Sequence, residues 1–117
     1  MGYIKLPASL LIAAMLLPAA GVLAAPVKLL GLDDMSCATW ASVSSDAELS
    51  QPYVQWVRGF LTGHNYANQS QQVSIVSKGT VAAYLDRYCT TNRSGNIADA
   101  AMRMSDQYSG RNAAITR

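Results

Sequence analysis

The chain has 117 residues, half of them hydrophobic and 14% charged, with a formal net charge of +2 at pH 7. That length suits one domain with a modest core. Setting aside residues 1–24, which carry only Lys5, leaves 93 residues with eight Lys and Arg against seven Asp and Glu, nearly neutral and without the basic stripe that nucleic acid requires.

Residues 1–24 read as a secretion signal. Lys5 supplies a positive start, Leu10 to Leu17 an apolar run ended by Pro18, and Val22-Leu23-Ala24 a small-x-small cleavage pattern. Cleavage after Ala24 is expected, because a cut after Ala25 would place Pro26 beyond the scissile bond. The alternative is a retained anchor, but the run lies near the lower length for spanning a bilayer. No second apolar run follows, so no membrane association is expected after cleavage, and the expected location is the periplasm.

Ala25 to Asp34 reads as an extended leader, followed by a helical domain over 35–110 and a frayed tail over 111–117. A short helix is predicted from Met35 to Ala41, with Cys37 and Trp40 three residues apart on one face. Ser42 to Ser50 is polar and turn-rich. The clearest helix begins at Gln51, where Pro52 suits a first turn. Tyr53, Trp56, Val57, Phe60, Leu61 and His64 then recur at helical spacing, opposite Gln55, Arg58 and Thr62. Gly59 and Gly63 share one side of this helix. Each costs about 1 kcal/mol against Ala, which predicts that another backbone approaches them closely.

Asn65 to Lys78 is loop-like, with Val73 to Val76 open to either a short strand or a helical turn. Thr80 is the expected cap of the next helix, whose stripe is Val81, Tyr84, Leu85, Tyr88 and Cys89. Asn96 caps a last helix, with Asp99 in its first turn and Ile97, Ala100, Ala101, Met104 and Tyr108 on its apolar side. Ser109-Gly110 ends it. The fold class is therefore all-α, with three to four helices. Trp40, Tyr53, Trp56, Phe60, Tyr84 and Tyr88 form the aromatic packing face.

Cys37 and Cys89 are the only cysteines. Behind a secretion signal they are expected to pair, and only one pairing exists. Their distance in sequence argues against a Cys-x-x-Cys redox site. The single histidine, His64, has no acid near it in sequence from which to build a catalytic set, and one His with two bridged Cys is too few for a metal. No Gly-rich phosphate loop is present. No catalytic residue, metal or cofactor is expected. His64 is either a helix C-terminal residue favoured by the dipole or, with Asn65 and Tyr66, a partner-contacting site.

Two segments carry a family resemblance. Gly59-Phe60-Leu61-Thr62-Gly63-His64-Asn65 resembles the GYLSG-x-N helix of small secreted bacterial proteins. Ala83-Tyr84-Leu85-Asp86-Arg87-Tyr88-Cys89, followed by Asn92 and Ala100-Ala101, resembles their later segment built around Leu-Asp-x-Tyr-Cys. Two groups share these features, the HdeA-type acid-stress chaperones and the amidase-immunity proteins of type VI secretion. Cys37 and Cys89 match the single disulfide of the HdeA group in kind and approximate spacing. The family's Asn-Pro pair reads Asn92-Arg93 here. The resemblance implies a non-enzymatic periplasmic protein whose partner is another protein. It would be a chaperone acting on clients, an immunity protein blocking a cell-wall amidase toxin, or a part of an envelope secretion assembly. A homodimer is a further option.

Overall fold

The computed structural model describes residues 25–110, together with Gly2. The expected signal segment and the tail over 111–117 lie outside the described residues. Four helices follow the leader: α1 (Cys37–Val43), α2 (Ala47–Ala67), α3 (Lys78–Thr91) and α4 (Ile97–Tyr108). The fold is all-α. One isolated antiparallel bridge joins Ser36 to Asn96.

Each helix starts on a side-chain cap that satisfies amides left open at the first turn. Ser36 accepts from the Thr39 amide, Asp46 from those of Glu48 and Leu49, Ser77 from that of Thr80, and Asn96 from that of Asp99. The Asn96 cap agrees with the sequence reading, and two others correct it. Helix α3 starts at Lys78 on Ser77, so Thr80 lies inside its first turn. Helix α2 starts at Ala47 on Asp46, so Pro52 lies inside the helix. The bond Pro52 forgoes is to the carbonyl of Glu48, and both residues are exposed, so water can serve that carbonyl. Asp46 before Ala-Glu-Leu was the stronger start signal. Helix α1 also begins two residues later than expected, because Met35 and Ser36 are spent on the bridge. The Met35 carbonyl accepts from the Ile97 amide at 2.7 Å, and the Cys37 amide donates to the Gly95 carbonyl at 3.0 Å.

Residues 73–76 are neither strand nor helix. Val73 is buried while Ile75 is fully exposed, an alternation along extended chain.

The core lies where the four helices meet. Trp40, Val57, Val81, Leu85, Ile97, Ala100, Ala101 and Met104 are almost wholly buried. The alanine pair of α4 presents little side chain, so its neighbours can pack close to its backbone. Trp40 meets Tyr53 edge-on at 6.4 Å, and its indole N–H donates to Asp86 at 2.8 Å, which satisfies a polar group inside the core. Tyr53, Tyr84 and Tyr88 are buried, whereas Trp56 and Phe60 are half-buried against the same core. Tyr108 is 41% exposed and covers Tyr84 from the rim.

Cys37 and Cys89 form a disulfide, with Cα atoms 5.1 Å apart, tying the start of α1 to the last turns of α3. Closing a loop of 52 residues stabilises the fold by about 4 kcal/mol in the chain-entropy model.

Gly59 and Gly63 overturn the expected close approach. Both are exposed, and a Cβ added at either would meet nothing within 4 Å. The crowded glycine is Gly95, where a Cβ would lie 3.0 Å from the Asn92 carbonyl oxygen and 3.1 Å from the Tyr88 ring. That turn carries the carbonyl that binds Cys37, so its tightness sets where α1 docks.

Candidate protein-binding surface

The leader crosses the outer side of α2 as a strap. The Trp56 indole N–H donates to the Leu30 carbonyl at 2.7 Å, and the Tyr53 hydroxyl donates to the Asp34 carbonyl at 3.0 Å. Trp56 and Phe60, one helical turn apart, stack with centroids 5.8 Å apart. Leu32 joins them against the core. The strap's own Leu30 side chain is 89% exposed, and Val27 and Leu29 are also exposed. The strap therefore meets this aromatic ledge through its backbone at Trp56 and contributes little burial of its own.

Asp34 anchors the strap to α1. Its carboxylate accepts from the Ser36 amide at 2.9 Å and from the Thr39 hydroxyl, while Ser36 caps the same helix turn. The bond from the Thr39 side chain, followed by those from the side chain and backbone of Ser36, holds the Asp34 pKa below its ordinary value. Ionised Asp34 thus favours the folded hinge.

His64, Asn65 and Tyr66, the three expected contact residues, have three different placements. His64 is only 6% exposed, because it continues the Val57 and Leu61 stripe into the interior. Asn65 fastens the 68–77 loop. Its amide N–H donates to the Val73 carbonyl at 2.9 Å, and its carbonyl oxygen accepts from the Val73 amide at 2.7 Å. That pairing fixes the Asn65 oxygen as an acceptor, so the His64 Nδ1, 3.2 Å away, carries the hydrogen. The His64 Nε2 is buried and has no hydrogen-bond partner among the described residues. Only Tyr66, at 84% exposure, faces outward.

The pinned loop and α2 enclose a groove. Arg58, Gly59 and Thr62 form one wall and Ser74, Ile75 and Val76 the other. Ile75 was not singled out in the sequence, although the alternation of Val73 and Ile75 was the available signal. A second cleft lies beside the disulfide, lined in part by Ala41, Asp86, Thr90 and Arg93. Among the described residues, no three His, Cys, Asp or Glu gather where they could hold a metal ion. Among the same residues, no helix is long and apolar enough to cross a membrane.

These features, an aromatic ledge met by a strap and an apolar residue on a pinned loop, suit contact with another protein. No protein-family model matches the chain, and no curated protein or solved structure matches it.

Proposed function

We propose that this chain is a non-enzymatic periplasmic protein that works by binding other proteins, as a stress chaperone of the HdeA type. The observation that carries the reading is the strap bonded to Trp56, which stacks on Phe60, with the strap anchored at an acid-sensitive Asp34. The pKa of Asp34 is lower in the folded chain than in the unfolded one. Its stabilising contribution is complete above the ordinary carboxylate value of about 4 and is lost as pH falls through the lower folded value. Acid also neutralises the other carboxylates and leaves the Lys and Arg charges to repel one another. The strap then lifts and bares the Tyr53, Trp56 and Phe60 side for clients. The Cys37–Cys89 bridge keeps the loosened chain compact. The test is dye binding and client aggregation under acid. Fluorescence of a hydrophobic dye should rise near about pH 2 to 3, and aggregation of an acid-labile client should fall. A chain that stays closed and inert there refutes the reading.

A second reading is favoured by Ile75, fully exposed on a loop held by Asn65. An immunity or inhibitor protein would insert such a residue into the active site of one toxin, at neutral pH and without loosening. Tight stoichiometric capture of a single cell-wall amidase, abolished by Ile75→Asp, supports it. Capture that ignores Ile75→Asp counts against it.

A further inference from the structure

We infer that the cleft between α3 and α4 is a docking site for the acidic side chains of a partner protein, with Arg87 and Arg103 as its paired anchors. The inference rests on the protein-binding reading and adds a second contact surface to it.

The two arginines are preset. The Arg87 guanidinium lies over the Tyr84 ring at 5.9 Å from its centroid, and that of Arg103 over the Tyr88 ring at 5.3 Å. Tyr84 and Tyr88 are buried while both arginines are exposed. Each ring therefore acts as a fixed seat for a mobile cation, so less side-chain entropy is lost when that cation engages a ligand. The rest of the lining includes Asn92 and Gln107 and contains no carboxylate. A stacked guanidinium keeps its edge N–H groups free, and these match the two oxygens of a carboxylate.

The surroundings also temper what would repel an anion. The cleft reaches the C-terminal turn of α3, where open carbonyls ordinarily present partial negative charge. Side-chain donors add second bonds to three carbonyls one turn earlier, which helical and capping amides already serve. Thr90 donates to the Asp86 carbonyl at 2.7 Å, Thr91 to that of Arg87 at 3.2 Å, and Asn92 to that of Tyr88 at 2.9 Å. Burial raises the pKa of the Tyr84 hydroxyl against the opposing pull of Arg103, so it remains a neutral donor at the edge of this cluster. Two like charges, held on one face without an acid among the lining residues, are complementary to an acidic peptide segment. Residues 25–117 together are nearly neutral, so this is a local feature.

The test uses acetylated hexaglutamate as the probe and hexaglutamine as its neutral control, with the disulfide-bonded protein followed by backbone and arginine side-chain NMR. Hexaglutamate is expected to shift resonances of Arg87, Arg103, Tyr84 and Tyr88 and to leave the Ile75 loop unmoved. Binding should weaken as salt rises from about 50 to about 300 mM, and again below about pH 4, where the glutamates lose their charge. R87Q and R103Q, both at exposed positions, should each weaken binding several-fold and together about tenfold, whereas R93Q should not. Retained helical circular dichroism checks that the variants fold. If a variant does not fold, the shift map of the unaltered protein decides, and shifts centred elsewhere overturn the proposal. Equal loss in R93Q overturns it too. So does stronger binding at the same residues by inorganic phosphate, single-stranded DNA or vesicles of anionic phospholipid. A chain that protects clients in acid yet ignores hexaglutamate overturns the cleft and leaves the chaperone reading standing.

Discussion

Replacing Gly59 and Gly63 by alanine is expected to stabilise the protein. Both residues lie inside the 21-residue helix α2, and both are exposed. Neither has a positive φ, and a Cβ at either position meets nothing within 4 Å. The full helix-propensity difference should therefore appear without a steric offset, about 0.8–1 kcal/mol for each site and about 2 kcal/mol for the pair. Part of that gain comes from restricting the unfolded chain. In a domain of this size each kcal/mol raises Tm by about 4–8 °C, so the double variant should melt about 8–15 °C higher. Urea unfolding followed by tryptophan fluorescence and far-UV circular dichroism measures the change, with an unaltered denaturant slope as the sign that compactness is unchanged. An unchanged or lowered midpoint would refute the reasoning, because it would mean that something covers these glycines in the folded protein. If the loss grew with protein concentration, the covering element would be a second copy of the chain.

Three further outcomes follow from the same geometry. Cys37→Ser with Cys89→Ser should cost about 4 kcal/mol, and a reductant should destabilise the parent protein by the same amount; equal thermal resistance would remove the disulfide from the account of stability. Asn65→Ala removes both bonds to the Val73 backbone and the one from His64. It should cost about 2–3 kcal/mol and speed amide exchange at Val73, and continued protection of that amide would show that burial alone holds the loop. Asp34→Ala should lower stability at neutral pH and flatten the acid limb of the stability profile. The variant and parent curves should converge once the parent's Asp34 is protonated, and parallel curves would separate Asp34 from the acid response.

Much of the architecture was legible because it depends on local chemistry. The apolar stripes of α3 and α4 follow a helical period, and the Asn96 cap with Asp99 behind it needs no distant partner. Helix starts failed where two local signals competed. Pro52 and Asp46 both mark a beginning, and the helix took the one whose side chain satisfies two amides, leaving Pro52 to forgo a bond on the wet side. Ser77 and Thr80 competed in the same way. The site was less legible. His64 carried its own clue, since it lies on the Val57 and Leu61 stripe. The use of Asn65 as a clasp for Val73 had none, because that pairing depends on how the loop returns across α2.

By itself, the sequence determined the all-α class, the aromatic core and the one bridge available to Cys37 and Cys89. Side-chain period and residue count carry that information along the chain. Only the tertiary structure decided which surfaces stay open. It exposed Gly59 and Gly63, drew the leader over Trp56, buried His64 and put Ile75 at the surface. It also seated Arg87 of α3 and Arg103 of α4 on neighbouring tyrosines of α3. Those outcomes depend on which elements meet, and a contact between residues distant in the chain has no signature in the local pattern of either one.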